Sequence, residues 1–180
     1  SSAASDVYKR QNWGDALIIL GIDPGLATMG WGVIESDGSR HRLIQYGTLG
    51  TPAGQPVPVR LRAIYSGVQQ LISTYRPDDI VFEELFFARN VTTALNVGAA
   101  RGVALLAAAQ YTENLYEYTP MQIKQAVVGF GKAEKRQVQM MVKMLLGLSE
   151  VPRPDDAADG LAAAITHAHS ARQRQLFKIQ

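Results

Sequence analysis

Three apolar segments follow one another near the start of the chain, before any helical pattern appears. The first, 16–22, is a continuous apolar run typical of a buried strand, and Asp23-Pro24-Gly25 ends it with two turn residues. Segments 28–35 and 43–49 follow, and Ser36-Asp37-Gly38 is a tight-turn signal between them. Three strands in so short a stretch predict a meander at one side of a sheet.

Helical and strand patterns alternate in the rest of the chain. Apolar residues at helical spacing over 61–72 predict an amphipathic helix that ends before Arg76-Pro77. A short apolar strand at 80–82 precedes a long alanine-rich helix over 90–110. The remaining predicted elements are one strand and three helices: 115–118, 120–127, 134–146 and 156–172.

A meander followed by alternating helices and strands predicts an α/β fold. A five-stranded mixed sheet of order 3-2-1-4-5, flanked by helices, fits this element order and makes the first and fourth strands neighbours. The chain has 180 residues and no repeats, so we expect a single domain over 16–175. Residues 1–15 show no periodicity and no signal-peptide pattern, and we expect a disordered or artificial extension there.

The composition excludes several classes of function. The absence of cysteine excludes disulfides, thiolate catalysis and cysteine-bound zinc. The net charge of +2 is too small to indicate a nucleic-acid partner by itself, so that inference depends on where the charges lie. No apolar run approaches the roughly 18–20 residues that a membrane span needs. We therefore expect a cytoplasmic globular protein with no membrane contact.

Four carboxylates occupy positions from which they could meet. Asp23 ends the first strand and Glu83 ends a short apolar strand, so the predicted sheet brings both to one edge. Asp156 and Asp159 are three residues apart on the last predicted helix and therefore share one face. Each position also has a structural explanation: a turn, a solvated strand end, or acids in a first helical turn with Asp155 as the N-cap.

A cluster of four carboxylates needs a cation, because like charges raise one another's pKa and destabilise the fold. Mg²⁺ and Mn²⁺ are hard ions that prefer oxygen ligands. Two such ions about 3.5–4 Å apart can hold the attacking and leaving oxygens of a phosphoryl displacement by water. The acids therefore predict a metal-dependent nuclease, and we expect Asp23 to bridge the two ions.

Five motifs, in order along the chain, resemble those of the RuvC Holliday junction resolvases. They are GIDPG at 21–25, EELFFARN at 83–90, IKQAVVG at 123–129, AEK at 133–135 and DAADGL at 156–161. The resemblance extends over about 17–170. It implies a ribonuclease H-like fold and a homodimer that makes paired, magnesium-dependent nicks in four-way DNA junctions. It also implies the branch-migration partners RuvA and RuvB.

The resemblance assigns the catalytic and metal-binding tetrad to Asp23, Glu83, Asp156 and Asp159. Two Mg²⁺ ions per active site are implied, with Mn²⁺ as a substitute. Some members of the family have histidine at the position of Asp156, so this ligand is the least rigidly defined of the four.

Basic residues on both sides of the predicted site suit a DNA strand. Arg89 lies at the start of the long helix, and Lys124 and Lys135 flank a glycine-bearing segment. Cations on both sides of an acidic site let a phosphate backbone approach carboxylates. In the family that the chain resembles, residues at the positions of Lys124 and Lys135 contact phosphate near the cut.

Phe86 and Phe87 are adjacent aromatics just after Glu83-Glu84. In an extended segment the two rings cannot both point into the core, so one is expected to be exposed. An exposed ring there can stack on a base and hold the junction open. The sequence does not distinguish which of the two does so.

The long helix over 90–110 is the candidate dimer interface. Gly98 and Gly102 lie four apart on it, a spacing that lets another helix approach closely. Burial of this helix inside the monomer core is the alternative. His167 and His169 do not share a helix face and have no third ligand, so we expect structural roles for both.

Three other functions stay open at this point. An ATPase of the actin and sugar-kinase type also begins with Gly-Ile-Asp-x-Gly, but it needs two such domains and the chain is too short. A module that binds branched DNA without cutting it is disfavoured because every acidic position is occupied. A nuclease of the same fold could act on other nucleic acids.

Overall fold

The computed structural model describes residues 14–85 and 90–180. The strands are β1 Leu17–Asp23, β2 Thr28–Ser36, β3 His41–Gly50, β4 Asp79–Glu83 and β5 Leu115–Tyr118. The helices are α1 Val57–Tyr75, α2 Val91–Ala109, α3 Pro120–Val128, α4 Lys135–Leu145 and α5 Asp155–His169. A short 3-10 turn, Arg174–Phe177, follows α5.

The strands form one mixed sheet of order β3-β2-β1-β4-β5. The first three strands pair antiparallel, and β1, β4 and β5 run parallel. This confirms the predicted α/β class and strand order. Each predicted element is present, with ends that differ by a few residues.

The sheet has an apolar core on each face. Along β1, Ile18, Leu20 and Ile22 face α1 and α2, whereas Ile19 faces α3, α4 and α5. This alternation follows from the two-residue period of a strand. Because β1 is buried on both faces, its carboxyl end is a rigid support for the residue that follows the apolar run.

Near its start, helix α5 approaches β1 and β2 closely enough for backbone atoms to meet at three glycines, and the Leu161 side chain packs on Gly32. A Cβ atom added to Gly21 would be 2.0 Å from Gly160 O, one at Gly30 would be 1.8 Å from Asp156 O, and one at Gly160 would be 2.7 Å from Trp31 Cα. Only glycine avoids these collisions, so backbone meets backbone. We call Gly21, Gly30, Gly32 and Gly160 the glycine seam.

The far end of α5 is fixed by a buried polar network. The ring of His167 is hydrogen-bonded through Nε2 to Asp79 Oδ2 at 2.7 Å and through Nδ1 to the Tyr118 hydroxyl at 2.8 Å. Arg174 Nη1 donates to the same Asp79 oxygen at 3.1 Å. His169 lies 3.0 Å from His41, Nε2 to Nε2. These contacts agree with the structural roles expected for His167 and His169.

Two expectations about α5 are wrong. The N-cap is Pro154, which offers no side-chain acceptor, and Asp155 is the first helical residue. The helix ends at His169 instead of 172, and Ser170, with φ −94° and ψ 11°, has left the helical conformation.

One face of α2 is in the core and the opposite face is exposed. Ala100, Ala104, Ala107 and Ala108 are buried against α1 and the sheet. On the other side the exposed fractions of Val91, Leu95 and Leu106 are 73%, 68% and 54%. Within the described residues, nothing lies within 4 Å of a Cβ added to Gly98 or Gly102, so neither glycine receives another helix inside the monomer.

By length and composition alone, α2 could cross a membrane. It has 19 residues, most of them apolar, and only 22% of its apolar stretch is buried. The expectation that no segment of the chain is long and apolar enough is therefore wrong for this helix. Core helices of soluble proteins meet the same criteria of length and composition. These criteria alone therefore do not assign a membrane span.

Candidate active site

Two parallel neighbouring strands bring the first two acids together. Asp23 is the last residue of β1 and Glu83 is the last residue of β4, and these strands are in register at Ile22 and Phe82. The Asp23 carboxyl is hydrogen-bonded to the Glu83 side chain. Pro24 and Gly25 then turn the chain away, as predicted.

The first turns of α5 supply the other two acids at the same edge. One oxygen each from Asp23, Asp156 and Asp159 can be chosen so that all three atoms lie within 4.8 Å of one another. These side chains are half-buried. The negative charge of Asp159 also acts on Glu83. Acids from three separate elements therefore share one pocket, as the sequence predicted.

Burial and mutual repulsion make these groups hold their protons. Burial, and then the charges of Glu83, Asp159 and Asp156, raise the pKa of Asp23 to about 9. Burial and the Asp159 charge raise the pKa of Glu83 to about 7, against the lowering effects of Asp23, Lys135 and Lys124. Burial also raises the pKa of Asp159. Without a cation, the pocket therefore cannot keep all of its carboxyls ionised at neutral pH.

Two of the five residues predicted to bind DNA lie beside the acids. Lys135 Nζ donates to Asp159 Oδ2 at 3.0 Å and lies 4.0 Å from Asp155 Oδ2. The Lys124 charge lowers the pKa of Glu83, so this lysine also acts on the acidic cluster. Phe86, Phe87 and Arg89 lie outside the described residues.

Sequence reasoning missed two features of the site. It gave Asp155 only a capping role, whereas its carboxylate lies beside Lys135 and adds to the local charge. It also missed the glycine seam, although Gly30 and Gly32 alternate within β2 and Gly21 lies in the neighbouring strand β1. Alternating glycine in a buried strand was the available signal for a close backbone approach.

The donor set fits a hard divalent cation. Asp23, Glu83, Asp156 and Asp159 offer only carboxylate oxygens, which are the ligands that Mg²⁺ and Mn²⁺ prefer. A cation here would balance the repulsion that raises the pKa of Asp23. The pocket lies at the end of the sheet, and the Asp159 side chain is 23% exposed, so a phosphate can reach it from solvent.

The raised pKa values predict how the stability of the chelator-treated protein depends on pH. Because Asp23 and Glu83 bind protons more tightly when folded, their contribution to stability is complete below about pH 4 and is lost as pH rises through about 7 and 9. Added Mg²⁺ should therefore raise Tm more at pH 9 than at pH 6, by more than about 4 °C. Asp23→Asn should weaken this pH dependence. Equal Mg²⁺ effects at both pH values would contradict the assignment.

The known proteins that match this chain belong to the family that its sequence motifs resemble. The family model of the crossover junction endodeoxyribonuclease RuvC matches residues 19–167. A RuvC from Rubrobacter xylanophilus is 59% identical over 155 residues, which are 86% of this chain and 87% of that protein. A RuvC from Chloroflexus aggregans is 58% identical over 160 residues, covering 89% and 98% of the two chains.

Solved structures extend the comparison to the fold. The structure of Thermus thermophilus RuvC in complex with Holliday junction substrate superposes with a TM-score of 0.82 at 39% identity, covering 87% of this chain and 95% of that one. The yeast mitochondrial Holliday junction resolvase superposes with a TM-score of 0.62 at 15% identity, covering 89% and 82%, and supports the fold alone.

Proposed function

This chain belongs to the RuvC family of crossover junction endodeoxyribonucleases and is a Holliday junction resolvase; on that premise we propose how its own residues carry out the reaction. The observation that carries the proposal is the convergence of Asp23, Asp156 and Asp159 within 4.8 Å at the end of a rigid strand. We assign the catalytic nuclease domain to 16–175.

The acidic tetrad is proposed to hold two Mg²⁺ ions, and Asp23, on which the charges of all three other acids act, is the residue proposed to be shared by both. When bound, the ions activate a water molecule and stabilise charge on the phosphate. The protein contributes rigidity: β1 and β4 fix Asp23 and Glu83, and the glycine seam holds Asp156 and Asp159 against them. Such pre-organisation holds the catalytic groups in the geometry that the reaction requires.

Lys124 and Lys135 are proposed to hold the phosphates on either side of the scissile bond. Lys135 already lies 3.0 Å from Asp159, so a phosphate bound by this lysine would lie next to the metal ligands. Arg89 is proposed as a further phosphate contact, and Phe86 or Phe87 as the residue that stacks on a base at the crossover. These three assignments depend on the family resemblance.

The active form is proposed to be a homodimer. Resolving a junction takes two symmetric cuts, which a two-fold dimer supplies from two identical sites. The exposed face of α2 suits this role, because Val91, Leu95, Gly98, Gly102 and Leu106 follow one another at spacings of three and four residues along one face. Small and apolar residues in that pattern favour close helix contact.

Leu95→Glu is expected to dissociate the dimer. A charge placed in the centre of an apolar helix interface is buried without a partner, which costs several kcal/mol. We expect at least about a tenfold increase in the dimer dissociation constant, measured by sedimentation equilibrium, and unpaired nicks instead of paired cuts. Leu176→Glu is the matched control, because Leu176 is 78% exposed on the C-terminal turn. A dimeric Leu95→Glu protein would place the interface elsewhere.

Cleavage of a mobile four-way junction tests the proposed function most directly. The same protein is assayed on the junction and on linear duplex of the same sequences, with Mg²⁺, with Mn²⁺ and with chelator. We expect paired nicks in the junction only, and only with a divalent ion. Cutting of duplex or RNA at equal rates would instead favour a nuclease of this fold with another substrate.

We further propose RuvA and RuvB as partners and the cytoplasm as the location, both from family membership. Co-sedimentation of the protein with RuvA-bound and RuvB-bound junctions tests the first. A resolvase that binds naked junctions but is displaced by RuvA and RuvB would contradict it.

A further inference from the structure

Arg60 is a buried cation without an anionic partner in the described part of the chain. It lies in the first turns of α1 with 9% of its surface exposed. Its guanidinium donates from Nε to Thr51 Oγ1 at 2.8 Å and from Nη2 to Thr51 O at 3.4 Å. Within residues 14–85 and 90–180, no carboxylate forms an ion pair with it. A buried charge that lacks a counter-ion is costly unless a ligand supplies one.

One nitrogen of this guanidinium is available to a ligand. Nε and Nη2 are used by Thr51, whereas Nη1 has no hydrogen-bond partner among the described residues. Nη1 is also not among the described buried atoms that lack a partner, so it reaches solvent. A planar guanidinium held from one side and open on the other is well suited to an oxyanion.

The start of α1 adds to the attraction for an anion at this place. The helix follows Pro56, has no side-chain cap and carries no acidic residue in its first turn. Val59 N and Arg60 N already donate to Pro56 O and Pro58 has no N–H, so the helix contributes mainly its dipole, which no negative side chain offsets. Arg60 and the dipole of α1 both attract an anion. Both lie at the end of the sheet that holds the acidic pocket.

The contacts of Thr51 connect Arg60 to the catalytic edge. The Thr51 hydroxyl donates to Leu26 O, and Thr51 N donates to Ala27 O at 3.0 Å. Leu26 and Ala27 belong to the loop that leaves Asp23. Strand β3, which ends just before Thr51, is two strand spacings from β1, or about 10 Å. This is the rise of about three nucleotides at about 3.4 Å each.

We propose that Arg60 and the first turn of α1 form a phosphate-binding position that holds the DNA strand about three nucleotides from the scissile bond. The inference rests on the proposed junction-cutting function and assigns a further contact to its substrate. The ligand is a backbone phosphodiester, so the contact adds affinity and register and carries no base specificity. Through Thr51, the same contact would also order the loop that follows Asp23.

Arg60→Met tests the proposal, with Arg62→Met as the matched control. Arg62 is exposed on the same helix and has the same charge. Junction affinity is measured in chelator at several salt concentrations. We expect Arg60→Met to weaken binding about tenfold and to reduce the slope of log K against log salt by about 0.9, the value for one phosphate contact. Arg62→Met should leave the slope nearly unchanged.

Junctions with single methylphosphonate linkages separate a phosphate contact from a structural role. The wild-type protein should lose affinity when one linkage two to four nucleotides from the cut is neutral, and Arg60→Met should be insensitive to that linkage. An unchanged salt slope in Arg60→Met, with only a lower Tm, would overturn the proposal. If Arg60→Met does not fold, a wild-type protein insensitive to every linkage in that window would overturn it too. Failure of both wild-type and Arg62→Met to bind and cut junctions would instead contradict the proposed function.

Discussion

Asp23→Asn is expected to abolish junction cleavage while junction binding is retained. The substitution keeps the size of the side chain but removes the negative charge at the centre of the proposed metal site, so divalent ions would be held less well and would activate water poorly. We expect a fall in the single-turnover cleavage rate of about 10³-fold or more. Binding should be equal or tighter, because one negative charge is removed from a surface that meets phosphate.

The control for this variant is Glu113→Gln, which removes a carboxylate from an exposed turn before β5. It should cut at the wild-type rate. In chelator, Asp23→Asn should also unfold at a higher temperature than wild type at pH 8–9, since the neutral side chain does not repel Glu83 and Asp159. Normal cutting by Asp23→Asn would refute the assignment of the site.

Gly30→Ala is expected to destabilise the fold and to disable the site together. The added methyl group would lie 1.8 Å from Asp156 O and 2.9 Å from Asp156 Cβ, so α5 has to move away from the sheet. Overpacking of this kind costs about 3 kcal/mol or more in the free energy of unfolding. Urea denaturation measures the loss.

The same shift should lower cleavage by the protein that remains folded, because Asp156 moves with the backbone that collides. Gly160→Ala should act similarly, since its methyl group would meet the β2 backbone at Trp31. Gly54→Ala is the matched control, because its added Cβ meets nothing within 4 Å. A Gly30→Ala protein with wild-type stability and wild-type cleavage would show that the helix does not need this close approach.

Local pattern was sufficient to predict the sheet order and the convergence of the acids. Asp23 directly follows a buried strand, and Glu83 ends the next parallel strand, so their meeting follows from topology alone. The three-residue spacing of Asp156 and Asp159 then required only that α5 begin at the same edge. These inferences depend on short-range periodicity, which a sequence displays directly.

Contacts between elements that lie far apart in the sequence could not be predicted from it, because they depend on how those elements are placed in space. The contact of Lys135 with Asp159 spans 24 residues and depends on where α4 begins in space. The spacing of Gly98 and Gly102 does not make them packing residues within the described part of the monomer, where the close backbone approach occurs at Gly30 and Gly160. Spacing says which residues share a face, and only the packed structure says which face meets another element.

The backbone contact between α5 and the sheet has a further consequence. Where side chains separate two layers, a change in their volume moves the layers apart or together. At Gly21, Gly30 and Gly160 the nearest atoms are main-chain atoms, so the separation between Asp156 and Asp23 is set there by main-chain van der Waals radii. The width of the acidic pocket should therefore change little when the apolar cores change at positions that do not pack on these glycines.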